Sequence, residues 1–447
     1  MNGNERSYKY DPLTKLVESV RSSGKTFRKK SLRFLLDTDR DIENETRVGL
    51  TPEHIRLLIA AMEECGIELR VFVAQAAGIW AGFRDRDFAQ VGAEIVDPEN
   101  LGALDPFDVV HALKEPVEHE ADLKERFLRI GALHLASRSS GVGLMLSTKK
   151  FSALFDGSTT GSCSYLLTGA EKTPIVASMS QLAGLIASER IYKIGGRSLQ
   201  KEQVLIVGAG YAGVSTMLGL RDRVGGLTVV ESNATVRSQL SWLLRRLGFA
   251  EFSIVDKCTP DLLAKAKGVV FAHRTGADAA QKICSVDEIN AMEQGSVIVD
   301  IAIDQGGSIA CSSIQPEDDV HIKIKKYKHA LKNYCYYAEP NMPRRKPREA
   351  SKRHGDAVLP YVVALLVLCA EQGDPVSAME YIHLRGFEEF FEQAALPAKY
   401  REDFFECIVQ DLRNGMQVVA RGNKLEICNP TLNANPAIRD LVENPVA

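Results

Sequence analysis

The sequence predicts an α/β protein of two Rossmann-like, doubly wound domains, the second inserted into a first domain that is discontinuous in the chain. Three observations predict it. The first half alternates short β-rich runs with helical periods, the pattern of a parallel sheet covered by helices. From Gln203 a sharper alternation opens with Val204-Leu-Ile-Val, then Gly208-Ala-Gly-Tyr-Ala-Gly213 and an apolar helix to about Leu220. After about residue 338 no third α/β unit follows. A basic loop there leads into a mostly helical tail from 357, expected to pack back on the first domain.

Taken in order, the segment up to Arg33 carries nine Lys/Arg against three acids, and its few apolar residues are dispersed. That predicts a solvated basic extension over 1–31. Leu32 to Leu36 reads as the first buried strand. In Arg47-Val-Gly-Leu-Thr-Pro-Glu a helix begins: Thr51 can cap it, Pro52 suits its first position, and Ile55, Leu58, Ile59 and Met62 recur at helical spacing until Gly66. Leu69 to Val73 is a strand, Asp85 to Val91 a helix, and Asp108 to Leu113 a strand ending at Lys114-Glu-Pro. Gly131-Ala-Leu-His-Leu continues the alternation, with a helix from Gly141 and a strand over Phe151 to Phe155. The long apolar helix Ile175 to Tyr192 marks the domain boundary, so the first domain takes 32–172 and 338–447 and the second 173–337. In the second, Leu227-Thr-Val-Val ends in Glu231, and β runs over Gly268 to Phe271 and Ser296 to Val299 complete the unit.

Composition narrows the function classes. The 447 residues suffice for about three domains or two large ones, and 55 Lys/Arg against 58 Asp/Glu give −3, without the basic excess of a polyanion binder. Nucleic acid is therefore not expected as a partner. No continuous apolar run reaches membrane-spanning length, and the longest candidate, Tyr361 to Ala370, reads as a core helix. The N-terminal region has no apolar signal core. Nine cysteines are scattered without CxxC or zinc-like Cys/His spacing, which predicts isolated buried thiols in a reducing, cytoplasmic setting and no metal site. The near-neutral total hides one uneven stretch: Arg344 to Arg353 holds six Lys/Arg and a single acid, Glu349.

Gly208, Gly210 and Gly213 form G-x-G-x-x-G between a predicted strand and helix. The first glycine permits the tight turn, the second lets backbone approach a pyrophosphate, and the third allows close helix packing. Glu231 stands 18 residues after Gly213, at the end of the second strand, where a carboxylate accepts from ribose hydroxyls and repels a 2′-phosphate. The pair points to NAD rather than NADP. Asp300-Ile-Ala-Ile-Asp304-Gln-Gly-Gly307 follows another strand, and two readings stay open: the carboxylates face the ligand crevice, or they cap and solvate a turn. Arg47, Lys114 and His134 end predicted elements. An Arg and a Lys that converge can hold a substrate carboxylate, and a His beside them can move a proton near neutral pH. Whether they meet in space decides between that and ordinary surface roles.

Further runs accompany these: Ala89 to Ile95 (AQVGAEI), Leu113-Lys-Glu-Pro116, Leu133-His-Leu-Ala-Ser137, Met179-Ser-Gln-Leu-Ala-Gly184, Asn341-Met-Pro343 and Leu359-Pro-Tyr361. With Arg47-Val-Gly-Leu-Thr-Pro, Gly208 to Gly213 and Asp300 to Gly307, their order and approximate spacing over residues 32 to 370 resemble the alanine dehydrogenase and transhydrogenase α-subunit family, and its alanine dehydrogenase branch in particular. The resemblance implies an NAD-dependent amino acid dehydrogenase that interconverts an L-α-amino acid with its 2-oxo acid and ammonia. Arg47 and Lys114 then match the family's carboxylate-binding pair, His134 its acid/base and Asp304 its partner near the nicotinamide. Met342 falls in the segment that lines the substrate pocket, and Ser180, Asp304 and Asn341 join the glycines and Glu231 around the cofactor. A homo-oligomer acting on small molecules, away from membranes, is also implied.

The chain departs from that pattern at Gln181, where the family usually has Glu, in a shorter loop after Gly195, and in Ala272-His-Arg-Thr-Gly276. The largest departure is Arg344 to His354, where the family carries small, hydroxyl and apolar residues. Two readings of that segment remain: it borders the cleft and selects a substrate larger or more acidic than alanine, or it is a solvated loop or subunit contact. Two other functions also remain. One is a saccharopine- or carboxyalkyl-amino-acid-type dehydrogenase that joins a keto acid to an amine, and the other a transhydrogenase-like NAD-binding module without turnover.

Overall fold

The computed structural model describes residues 12–38, 45–114, 120, 123, 127–131, 151–156, 175–273, 282–312, 314, 334–375, 377–378, 418–421 and 424–427. They fall into two compact units.

The first unit opens with α1 (Pro12–Ser22), β1 (Ser31–Leu36), α2 (Pro52–Glu64), β2 (Glu68–Ala74), α3 (Asp85–Ala89) and β3 (Glu94–Val96). It continues with β4 (Val109–His111), β5 (Phe127–Gly131) and β6 (Phe151–Asp156). All strand pairs are parallel, in the order 3-2-1-4-5-6. The chain therefore winds one way from β1 to β3 and the other way from β4, leaving a switch point between β1 and β4. Loops leaving the C-terminal ends of those two strands carry Arg47 and Lys114.

Three of these elements differ from expectation. Residues 12–22 do not form a solvated arm: Leu13, Leu16, Val17 and Val20 lie at i, i+3, i+4 and i+7, one face of α1, and all four are buried in the core with α2. What looks dispersed in sequence is a helical stripe. The structure also adds β3, a short edge strand whose three residues are too few for a periodicity signal. Gly131 closes β5 rather than opening a strand, and the helix expected from Gly141 lies outside the described residues.

The second unit comprises α4 (Ile175–Gly195), β7 (Gln203–Val207), α5 (Tyr211–Leu220), β8 (Gly226–Val230), α6 (Ala234–Arg246) and β9 (Phe252–Val255). Next come α7 (Pro260–Lys265), β10 (Ala266–Phe271), α8 (Val286–Ile289), β11 (Val297–Asp300) and β12 (Cys335–Tyr337). Its parallel sheet runs 9-8-7-10-11-12, the same winding as the first, with its switch point between β7 and β10. α4 packs on α5 at contact distance: a Cβ on Gly184 would stand 2.1 Å from Ala212 O, and Thr216 Oγ1 donates to Gly184 O at 3.2 Å. Two thiols expected to be isolated are neighbours, Cys258 Sγ lying 3.9 Å from Cys284 Sγ, with both free.

The chain then returns to the first unit through α9 (Pro347–Gln372). This helix starts ten residues before the expected 357, because Pro347 occupies its first turn and the basic segment forms its opening turns instead of a loop. Ala357 to Ala370 are buried against α1, α2 and β1. By length and composition α9 could cross a membrane, yet its apolar window is almost wholly buried within this core. Farther on, β13 (Val418–Arg421) and β14 (Lys424–Ile427) pair as an antiparallel hairpin, where the sequence reading expects helix.

Candidate active site

The second unit carries a dinucleotide cradle at its switch point. β7 ends at Val207, Gly208 turns in the left-handed region at φ 97°, and Gly210 caps α5 in extended conformation. A Cβ on Gly208 would stand 2.8 Å from the backbone of His273, just beyond β10, so only glycine lets the two flanking loops meet. A Cβ on Gly213 would fall 1.9 Å from Gly208 O, which seats the first turn of α5 directly on the loop. Glu231, one residue past β8, closes the cradle: Ala209 N–H donates to its Oε2 at 2.9 Å and Asn233 N–H to its Oε1 at 2.8 Å. The carboxylate is thereby fixed beside the glycine loop. This arrangement fits a dinucleotide, with α5's N-terminus facing phosphate and an acid placed for ribose.

The two aspartates of the next motif part company. Asp300 is buried and accepts from Ser308 N–H at 2.8 Å, Ser308 Oγ at 2.9 Å and Ser312 Oγ at 2.8 Å, so it organises its own turn. Gly307 belongs to the same turn, since a Cβ there would stand 2.2 Å from Ser312 Cβ. Asp304 instead sits exposed on the short helical turn Ile301–Gln305 and accepts from Asn341 N–H at 2.7 Å. Asn341 holds the left-handed region at φ 51°, a conformation asparagine tolerates better than most residues, and Met342 beside it is buried. The two motifs thus meet at one hydrogen bond between residues 37 apart in sequence. Ser180 lies half-buried on α4, in the same unit.

In the first unit, Arg47 and Lys114 share an acid that sequence reasoning missed. Arg47 is buried, and its Nε and Nη2 donate to Glu45 Oε1 and Oε2 at 2.7 and 2.6 Å. Burial alone would raise the Glu45 pKa; the Arg47 guanidinium, with the Lys114 ammonium behind it, outweighs that and holds the carboxylate at about 2. Lys114 is placed by its backbone: Arg129, fully buried on β5, donates to Lys114 O at 3.1 Å while Glu120 neutralises its guanidinium at 2.8 and 2.9 Å. Nothing in the sequence marks Glu45 or Arg129 as special, because the signal in both is burial. The sequence-predicted His134 lies outside the described residues.

The basic segment is mostly spoken for internally. Arg344 and Arg345 pair with Glu339 at 3.0 and 2.6 Å, and Arg353 pairs with Glu349 at 2.8 Å. Arg348 lies 4.5 Å over the Phe83 ring and donates to Gly82 O, and Lys352 meets Asp356 at 3.4 Å. Neither the free loop nor a bare cationic rim describes it.

Two family descriptions match the chain: "Alanine dehydrogenase/PNT, N-terminal domain" over residues 39–183 and "Alanine dehydrogenase/PNT, C-terminal domain" over residues 181–383. Among curated relatives, alanine dehydrogenase 2 of Staphylococcus aureus is 29% identical over 337 residues, spanning 72% of this chain and 84% of that protein. Alanine dehydrogenase of Staphylococcus epidermidis is 29% identical over 350 residues, with the same coverage. Among solved structures, a transhydrogenase from Sinorhizobium meliloti aligns with TM-score 0.61 at 17% identity, covering 75% of this chain and 95% of its own. An L-alanine dehydrogenase aligns with TM-score 0.60 at 23% identity, covering 78% and 94%. At these identities the two structures bear on the fold.

Proposed function

The chain belongs to the alanine dehydrogenase/PNT family, and from that premise we propose that it is an NAD-dependent dehydrogenase of an L-α-amino acid. The reaction takes an amino acid, NAD⁺ and water to the 2-oxo acid, ammonium, NADH and a proton, and runs in both directions. One observation supports it above the others. One unit holds a cluster of Arg47, Lys114 and Glu45, two cations to one acid with the Arg47–Glu45 pair buried, and the other holds a dinucleotide cradle and, beyond a later strand end, Asp304 steadied by Asn341. A module that only binds cofactor has no use for the first.

NAD, held by the Gly208–Gly213 turn with Glu231 toward its ribose, supplies the hydride acceptor; the carboxylate of Glu231 disfavours a 2′-phosphate. Arg47 and Lys114 hold the substrate carboxylate, and that fixes Cα in one orientation, which is worth several kcal/mol of barrier. Glu45 keeps the Arg47 fork aligned while leaving the local charge positive by one, matched to a single substrate carboxylate. Oxidation at Cα leaves an imino acid. His134 removes and returns the proton as water adds at that carbon and ammonia departs, with Asp304 as its partner. Asn341 N–H steadies the Asp304 carboxylate for that work.

The test is NAD reduction with a panel of L-amino acids, and NADH oxidation with 2-oxo acids in the presence of ammonium or of other amines. Ammonium-dependent turnover is expected. Turnover with pyruvate that needs a larger amine would assign the chain to the secondary-amine-forming class, and none with any pair would leave a binding module. His134→Ala is expected to abolish deamination and spare NAD binding; undiminished turnover would remove the acid/base role.

A further inference from the structure

Beside the Arg47 cluster the first unit buries three histidines that the proposed reaction does not use: His54, His111 and His354 are 2%, 0% and 3% exposed. His54 is engaged at both ring nitrogens. Its Nδ1 accepts from Thr51 N–H at 3.2 Å, so its Nε2 carries the proton that it donates to Asp356 Oδ1 at 3.1 Å. The other two differ. Their rings stack with centroids 5.9 Å apart and planes 4° from parallel. His111 Nδ1 donates to Ile130 O at 3.1 Å and its ring also meets the Gly49 backbone, whereas His354 Nε2 has no hydrogen-bond partner among the described residues.

The pair backs the loop that carries Arg47. His111 Nε2 lies against Gly49, 2.5 Å from where a Cβ would stand, and Val48 N–H donates at 2.9 Å to Ser351 Oγ, one turn before His354 on α9. A buried polar atom without a partner costs about 1–3 kcal/mol, and native interiors leave few of them. Leucine would fill the His354 site without that cost. Burial, then His111, Arg47, His54 and Lys114, all keep His354 unprotonated, so it offers a neutral nitrogen rather than a charge.

We propose that His354, backed by His111, forms a polar subsite beside Arg47 and Lys114 and selects an amino acid whose side chain carries a hydrogen-bonding oxygen over alanine. The inference rests on the amino acid dehydrogenase reading. It also shifts attention within the 344–354 segment from its arginines, which pair inside the protein, to the His354 imidazole, whose Nε2 is buried without a hydrogen-bond partner among the described residues. A site built to bond a side-chain oxygen discriminates strongly against the apolar isostere, because that isostere leaves the buried nitrogen unpaired.

Steady-state kcat/KM with NAD is measured for size-matched pairs, L-serine against L-2-aminobutyrate and L-asparagine or L-aspartate against L-leucine, and for L-alanine, in the wild type, His354→Leu and His354→Gln. In the wild type a polar member is expected to exceed its apolar partner and alanine by tenfold or more. That ratio is expected to fall at least tenfold in His354→Leu, mainly through KM, and to recover in part in His354→Gln. A wild type that prefers alanine or the apolar members overturns the subsite, as does a ratio that His354→Leu leaves in place. A wild type that reduces NAD with no amino acid contradicts the dehydrogenase reading, and the subsite falls with it. Thermal unfolding separates a packing role: His354→Leu is expected to unfold no lower than the wild type, and a lower midpoint with an unmoved ratio would mark a merely structural imidazole.

Discussion

Glu45 and Arg47 show how a buried pair is set by its partners. Glu45→Leu strips the Arg47 guanidinium of its bidentate acid in a buried position, and is expected to lower stability by about 3–5 kcal/mol in denaturant titrations; a change within about 0.5 kcal/mol would mean that the pair is not buried as described. The histidines give stability a pH slope of definite sign. Burial lowers the His111 pKa from 6.5 to about 4, so between these values the unfolded chain binds a proton that the folded one refuses. Stability is therefore full above about pH 6.5 and falls by about 3 kcal/mol as pH drops to about 4, with His354 acting in the same direction. Below about pH 4.5 the depressed Glu45 adds a further loss that runs to about pH 2. His111→Leu is expected to flatten the upper window, as chemical denaturation at pH 7, 5.5 and 4.5 would show. Residue chemistry was legible in the sequence where it depends on position along an element. Lys114 and Glu231 stand just past strand ends and Arg47 opens the run into α2, and so all three can be found by counting. Burial and fold-back are not visible that way, so Glu45 went unnoticed and Asp300 could not be told from Asp304.

At the scale of elements, two expected outcomes follow from contacts rather than propensity. Gly213→Ala places a methyl 1.9 Å from Gly208 O and must push α5 off its loop. NAD binding, followed by titration of the intrinsic fluorescence or by calorimetry, is expected to weaken by tenfold or more; unchanged affinity would show that the cradle does not hold the dinucleotide. Leu16→Asp puts a charge on the fully buried face of α1 and is expected to cost about 3 kcal/mol or more. A thermal midpoint equal to the wild type would return residues 12–22 to the solvated arm that their charge suggests. The strands and long helices of the sheet core were legible because each has several turns or pleats of consistent pattern, as with β7, α5 and α4. β3 was not, its three residues at a sheet edge including the exposed Glu94, and the start of α9 was not, because its first turns are basic and its apolar period begins only at Ala357.

The whole molecule repeats one plan twice. Both units wind their six parallel strands in the same order, and both place chemistry on the loops beside the switch point: Arg47 and Lys114 in one, the glycine turn and Glu231 in the other. The charge total of −3 carries none of this, since it averages away local excesses such as that of 344–353, which Glu339 and Asp356 offset only in part. Whether this plan serves the oxidation of an amino acid at Cα is decided with a substrate labelled at that carbon. The best amino acid of the panel, deuterated at Cα, is incubated with NAD⁺ and the enzyme, and the reduced cofactor is analysed by mass spectrometry. One deuterium per NADH formed, in step with ammonium release, is the expected result. Unlabelled NADH, or no NADH with any amino acid while NAD still binds, would contradict the account.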